Sequence, residues 1–350
     1  MQKLNKKQGG LRMKKLTILL IVLILLGIAL VGCTNSAQKT PEAEKAPNAE
    51  TSGELKWPDG KTIQIVVPFK AGGDTDFHAR TYAKYMEQIL GAPIVIVNVD
   101  GANGSVGTIQ VRDAKPDGYT ALFFHDSMLM NKVVGVTDFA HEAFDVCATG
   151  IMDNSYILAV NSKSKYKTLD DLIKDAKENP GKIKYASSVG GYTYYVGRKL
   201  EELTGADFNI VDAGGGADRN AALLAQKIDT NVNPYGVMKP YIDSGDFRVL
   251  AVFSEKRSSL FPDVPTAKEL GYDIIAHRAY FLAFPKGTDQ RIIEKVANAM
   301  EEVSKKPEYA EDIKKAYCVE PAYMNTADTK AYLDSALKEF EDAKDMILGK

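Results

Sequence analysis

The 350-residue chain is 45% hydrophobic and 26% charged, which are the values of a globular protein with room for about two domains and a core that needs no disulfide staples. Its net charge of −2 hides a more acidic body, because residues 1–32 hold six Lys and Arg and no Asp or Glu, leaving 38 basic and 46 acidic side chains after them. That balance excludes nucleic acid and an anionic lipid surface as main partners.

Lys14 and Lys15 precede an apolar run from Leu16 to Leu30, broken only by Thr17 and Gly27. A basic start, a short apolar stretch and small residues beyond it form a secretory signal. Leu30-Val-Gly-Cys33 resembles the bacterial lipobox. The resemblance implies cleavage before Cys33, a diacylglyceryl group on its sulfur and attachment to the outer face of the cell membrane. A plain transmembrane anchor is the alternative, since the run is near the lower length limit for spanning. Residues 33–55 read as a flexible tether, almost free of large apolar side chains.

Folded structure is expected from Trp57 on. Ile63 to Pro68 reads as a buried strand, Gly72-Gly73 as a turn, and Thr75 to Leu90 as a helix with Phe77, Tyr82, Tyr85, Met86 and Ile89 on one face. Ile94 to Val99 and Thr120 to Phe124 are further strands, with a glycine turn and a helix to Ala114 between them. The rhythm resumes with strands at Ile157 to Val160, Ile183 to Ala186, Phe208 to Val211, Ile228 to Val232 and Phe247 to Val252. Helices are expected at Leu169 to Glu178, from Gly191 to Thr204, at Arg219 to Lys227, at Ala267 to Leu270, and near Asp289 to Ser304 and Thr326 to Leu348. Strand, glycine turn, helix, strand is the pattern of βαβ units on a mostly parallel sheet. It occurs once before Tyr156 and once after it.

Cys147 and Cys318 are either two free thiols or one disulfide, and no Cys-x-x-Cys pattern supports a zinc site. Gly101-Ala-Asn-Gly-Ser-Val-Gly107 is not a dinucleotide fingerprint, no Gly-Lys-Ser/Thr closes a phosphate loop, and no Gly-x-Ser-x-Gly elbow is present. No cofactor is expected, and a cell-envelope enzyme has no nucleophile–base pair to rest on. Asp74-x-Asp76-x-His78 could suggest metal, but side chains two apart on a helix diverge by roughly 200°, so no metal site is assigned.

Four strand-to-helix turns carry the candidate ligand residues: Phe69 to Asp76, Gly101 to Gly107, Ser187 to Thr193 and Asp212 to Arg219. Such turns gather at the carboxyl ends of strands, where open α/β sheets bind ligands. Glycine lets the backbone come close, and a helix start behind it carries about half a positive charge.

Val67-Pro-Phe-Lys-Ala-Gly-Gly-Asp-Thr-Asp-Phe-His-Ala-Arg80 resembles the first ligand loop of the tripartite tricarboxylate transporter receptors, the TctC-like or Bug-type binding proteins. Gly101 to Gly107 resembles the second loop. Pro116-Asp-Gly-Tyr-Thr120, Glu255-Lys-Arg-Ser258, Pro262-Asp-Val-Pro-Thr266 and Glu269-Leu-Gly271 resemble further signatures of the family. The likeness runs from Trp57 to the C-terminus. It implies a two-lobed α/β Venus-flytrap fold of the periplasmic-binding-protein type with a ligand cleft between lobes, closing by a hinge motion. The expected lobes are 56–156 plus 253–350 and 157–252. Carried over by position, Gly72, Gly73, Asp76, Asn103, Gly104 and Ser105 hold a ligand carboxylate, with Phe69 in the same loop. Ser187, Ser188, Gly191, Thr193 and Gly215 close from the other lobe.

Three carboxylates depart from the pattern. Asp74 replaces a third glycine, Asp212 stands where an aromatic residue is usual, and Asp126 follows His125 after the third strand. At about 4 Å and an effective dielectric near 20, each would cost a dicarboxylate around 4 kcal/mol. The expectation is therefore a ligand with an amine as well as, or instead of, a carboxylate, unless these residues cap helices or face solvent. Tyr235 is the first candidate to wall the ligand. Arg80 is expected to brace the first helix, and Arg219 to pair with Asp218 or a ligand acid. The resemblance implies a monomeric solute receptor serving a two-subunit membrane permease, with no chemistry of its own. A sensor that reports to a signalling kinase is the alternative, and permease genes beside this one would favour uptake.

Overall fold

The structure, a computed structural model, describes residues 54–349. The expected signal segment, Cys33 and the tether up to residue 53 lie outside them. Among the described residues no helix is long and apolar enough to cross a membrane.

Two five-stranded sheets carry the fold. The first contains β1 (Ile63–Val67), β2 (Ile94–Asn98), β3 (Thr120–His125), β4 (Phe144–Asp153) and β10 (Arg278–Pro285), in the order β2-β1-β3-β10-β4. The second contains β5 (Tyr156–Asn161), β6 (Lys184–Ser187), β7 (Asn209–Asp212), β8 (Thr230–Pro234) and β9 (Phe247–Val252), in the order β7-β6-β8-β5-β9. The chain passes from the first sheet to the second between Asp153 and Tyr156, and returns between Val252 and Arg278. Tyr156 is thus already the first residue of the second sheet.

Each sheet is only half parallel. β1 runs parallel to β2 and β3, while β10 is antiparallel to both β3 and β4. Likewise β6 is parallel to β7 and β8, but β5 is antiparallel to β8 and β9. The antiparallel halves come from the strands on which the chain enters and leaves each sheet.

Alternation along the strands explains why they read as unbroken apolar runs. In β3, Ala121 and Phe123 pack with Ile63, Ile65, Val67, Tyr280 and Leu282 on one face. Leu122 and Phe124 pack with Val66 and Phe281 on the other. Both faces are buried, so no polar alternation is needed. The core on that second face continues into the second sheet through Tyr156, Leu158, Val160, Tyr185 and Val232.

Helices cover the sheets: α1 (Asp74–Leu90), α2 (Ser105–Arg112), α3 (Ser127–Val133), α4 (Leu169–Glu178), α5 (Tyr192–Thr204), α6 (Gly216–Leu224), α7 (Tyr235–Asp243), α8 (Gln290–Ser304), α9 (Pro307–Tyr317), α10 (Thr326–Asp342) and α11 (Lys344–Leu348). Three of these, α3, α7 and α9, were not expected. The short helix expected at Ala267 to Leu270 is instead a turn that follows a bridge between Thr266 and Val252. The long C-terminal helix is broken at Ala343, and Ile347 of α11 joins the shared core. Cys147 is buried, Cys318 is half-buried, and both are free thiols.

The second glycine turn is tight. A methyl group on Gly107 would lie 2.9 Å from the Val99 carbonyl oxygen and 3.1 Å from the Pro68 Cα, both fixed backbone atoms. Gly107→Ala is expected to destabilise the protein by about 1–3 kcal/mol, read as a lower urea midpoint at unchanged slope.

Candidate functional site

α1, α2, α5 and α6 begin at Gly73, Gly104, Gly191 and Gly215, and none of these starts is capped by a side chain. Three other helices are capped by side chains: Thr168 with Asp171 at α4, Asp289 at α8 and Asn325 at α10. The glycine starts therefore offer no side-chain cap of their own to the first N–H groups and keep positive dipole ends. Each follows the carboxyl end of a parallel strand.

A narrow cavity of about 30 Å³ lies among three of these starts. From the first sheet it is lined by Phe69, Lys70, Gly73, Asp74, Asn103, His125, Ser127 and Arg278. From the second it is lined by Ser188, Tyr192, Thr193, Gly215, Gly216, Ala217, Asp218 and Arg219.

Arg278 opens β10 and is 5% exposed. Its Nη1 donates to Asp74 Oδ2 at 2.9 Å and lies 3.4 Å from His125 Nε2. The guanidinium carbon stands 5.3 Å from the ring centres of both Tyr156 and Tyr192, within cation–π reach. Tyr280 donates its hydroxyl proton to the same Asp74 oxygen at 2.5 Å. Burial opposes the charge on Asp74, but the Arg278 charge and the Tyr280 hydroxyl hold its carboxyl well below the usual range. Burial, and then the Arg278 charge, push the His125 imidazole far down, so it is neutral. It stacks on Phe69 with ring centres 5.4 Å apart, and its Nδ1 accepts from the Ser127 amide.

Arg219, on the second side, is 4% exposed. It donates to the Gly214 carbonyl at 2.8 Å, to Ser188 Oγ at 3.4 Å and to Asn233 Oδ1. All three acceptors are neutral. Among the described residues no carboxylate lies within ion-pair distance of it, and its Nε has no hydrogen-bond partner. Burial, with Arg278 adding to it, lowers its affinity for its proton.

The two sides touch. The Tyr192 amide donates to Ser127 Oγ at 3.2 Å, and Lys70 pairs with Asp218 at 3.0 Å on the exposed rim. A methyl group on Gly191 would meet Asn103 Oδ1 at 2.6 Å, so only glycine fits there. Asn103 reaches that position through strained backbone. Gly101, Ala102, Asn103 and Gly104 have φ of 142, 44, 52 and 86° in succession. The two L-residues among them cost about 1–2 kcal/mol each. A reciprocal clamp offsets part of this: Asn103 donates to Asn131 Oδ1 at 2.8 Å, and Asn131 donates back to the Asn103 carbonyl at 3.1 Å.

The cavity thus brings together Phe69, Gly73, Asp74, Asn103, His125, Ser188, Thr193 and Gly215 of the expected residues. Others stand behind it. Asp76 accepts from the Gly72 amide, Arg80 and Asn98, so it braces the first loop from the rear, and Arg80 braces Asp76 as expected. Gly72 is part of that brace. Gly104 and Ser105 are buried against the sheet, where a methyl on Gly104 would strike the Phe124 ring at 2.7 Å. Ser187 is buried with no partner for its hydroxyl, one residue before the lining. Gly191 meets Asn103 rather than the cavity.

Three expectations are corrected. Asp212 is exposed and accepts from the Gly214 amide, capping its own turn. Asp126 lies outside the lining, where the Ala279 amide and the Tyr332 hydroxyl donate to it. Tyr235 lines a separate cavity beside Phe261 and Cys318. Of the three extra carboxylates only Asp74 reaches the site, already paired with a cation, so the acidic pocket that argued for an amine is not formed. His78 is buried between the rings of Phe77, Tyr280 and Tyr317, and does not join Asp74 and Asp76. Sequence reasoning missed Ser127 and Arg278. The one available signal for Arg278 was a lone charge heading the apolar run Ala279 to Phe284.

Comparison with known proteins gives consistent findings. The family model for the tripartite tricarboxylate transporter family receptor matches residues 78–345. The UPF0065 protein in gbd 5'region of Cupriavidus necator is 31% identical over 284 residues, covering 80% of this chain and 85% of its own. The structure of the periplasmic binding protein BugD matches with a TM-score of 0.74 at 26% identity, over 82% of this chain and 97% of that one. R. palustris Rpa4515 with adipate matches with a TM-score of 0.78 over 83% and 98% of the two chains, and at 22% identity that likeness is one of fold.

Burial raises the Asp126 carboxyl to about 7. A folded value above the ordinary one contributes stability below about pH 4, and that contribution is lost as pH rises through about 7, at roughly 1.4 kcal/mol per unit. Asp126→Asn should therefore gain stability relative to the parent between pH 5 and pH 8, measured as the difference in Tm across that range.

Proposed function

We propose, for a chain that belongs to the tripartite tricarboxylate transporter receptor family, that the cavity captures a small carboxylate solute. The family is one of solute-binding receptors, so the protein binds rather than transforms its ligand. One observation carries the ligand class. Glycine-started helices, two buried guanidiniums and two carboxylates already paired with cations, Asp74 with Arg278 and Asp218 with Lys70, surround the same cavity. Donors exceed acceptors there, and a carboxylate accepting such bonds gains about 1.5–3 kcal/mol for each charged one. The likeness in fold to a protein solved with adipate agrees with this reading.

In this proposal the Gly73, Thr193 and Gly215 turns, Asn103 and Arg278 hold the solute, with Phe69 and Tyr192 as its apolar walls. The lobes, 56–156 plus 253–350 and 157–252, close about the crossings at 153–156 and 252–278, and Lys70–Asp218 and Ser127–Tyr192 form as they meet. The receptor then delivers its solute to a two-subunit permease at the cell membrane. Asp74 supports a second reading, an amino-acid-like zwitterion whose amine approaches that carboxylate.

Thermal shift and calorimetric titration against mono-, di- and tricarboxylates, amino acids and simple amines test the ligand class. Stabilisation by acids is expected, about 2.7 kcal/mol at a hundredfold excess over Kd. Stabilisation by amines alone would overturn it. The lipobox supports anchoring at Cys33. Two or more acyl chains hold a protein stably at a membrane, at about 0.8 kcal/mol per buried methylene. Cys33→Ser should move the protein from the membrane fraction to the soluble one on cell fractionation, and an unchanged distribution would refute the anchor.

A further inference from the structure

Arg219 is the one buried cation of the cavity without an acidic partner. Arg278 is compensated by Asp74 at 2.9 Å, and Lys70 by Asp218 at 3.0 Å. Arg219 has only a carbonyl, a hydroxyl and an amide oxygen, and its Nε is unpartnered. Placing a charge in a dry site without a counter-charge costs several kcal/mol, so this arrangement is strained unless an anion enters. The side chain lines the cavity opposite Arg278, with Ser188 beside it. Its three neutral acceptors fix the guanidinium plane, which a planar oxyanion can then meet edge-on.

We propose that Arg219 pairs directly with an anionic group of the solute, and so makes a negative charge at the second lobe a condition for tight binding. The proposal rests on the carboxylate reading above and assigns one of the solute's charges to one residue. A solute with a neutral group at that end leaves Arg219 buried and uncompensated, so the site discriminates by penalty as well as by attraction. The Arg219 and Arg278 charges also repel each other across the cavity, and an anion between them removes that repulsion.

The test pairs succinate, glutarate and adipate with their monoamides, each titrated calorimetrically into the parent protein, Arg219→Gln and Arg219→Lys. The parent is expected to prefer each diacid it binds over the monoamide by roughly ten- to hundredfold. In Arg219→Gln that ratio should fall to near one, and Arg219→Lys should restore part of it. A purely structural role would weaken diacid and monoamide together and keep the ratio. That result, or a ratio near one in the parent, overturns the assignment while leaving the carboxylate reading intact. If the parent binds none of these acids, the assignment falls, and the carboxylate reading falls with it when no other acid of the wider panel binds. Circular dichroism and ligand-free Tm verify that each variant is folded. Should Arg219→Gln fail to fold, the Lys variant and the parent's own ratio decide the question.

Discussion

The Asp74–Arg278 ion pair organises the site. Neither charge could be buried alone, since removing one partner of such a pair costs about 3–5 kcal/mol. The pair joins the first residue of α1 to the first residue of β10, and Tyr280 and His125 close around it. Its position sets where the first glycine loop ends, which way α1 points and how far β10 stands from β3. An acid at the start of a helix is ordinary electrostatics. Here that acid also fixes a guanidinium at the wall of a cavity, so a local preference of the sequence becomes a long-range constraint.

Around this pair stand helix starts of a particular kind. Thr168, Asp289 and Asn325 satisfy their helices from within, and none of them lines the cavity. Gly73, Gly191 and Gly215 supply no side-chain cap, and at α5 Ser127 Oγ meets the first amide from the other side of the cavity. The glycine starts forgo only a few tenths of a kcal/mol of capping each, and the Gly101 to Gly104 turn adds backbone strain. These costs fall together on one side of the molecule, where sites of recognition are usually built. The rest of the fold supplies the compensation through two sheets buried on both faces.

Much of this was legible in the sequence. β1, β2, β3, β6 and β7 are short apolar runs bounded by glycine, and each was readable as a strand. The four turns were readable as well, because glycine in such numbers before amphipathic stretches has few other uses. Side-chain direction was not readable. Asp74 begins the helix after β1, Asp126 follows β3 directly and Asp212 ends β7, yet one faces the cavity, one lies behind it and one faces solvent. Only the tertiary partner decides this, and Arg278 is 204 positions from Asp74 in the chain. The antiparallel strands β4 and β10 were missed for a related reason. Their pattern is a plain apolar run, which cannot by itself be told from a buried helix segment.

The core that packs beneath Val66, Leu122 and Phe124 does not stop at the boundary between the sheets. It runs on through Tyr156, Leu158 and Tyr185, and Ile347 near the end of the chain seats in it. The two halves are therefore not interchangeable modules. Grafting the second half of a relative onto the first half of this chain would have to match side-chain volumes along that seam, or leave a void where the halves meet. Evolution of new ligand preference in such a scaffold is then easier by substitution at single cavity-lining positions than by exchange of whole halves.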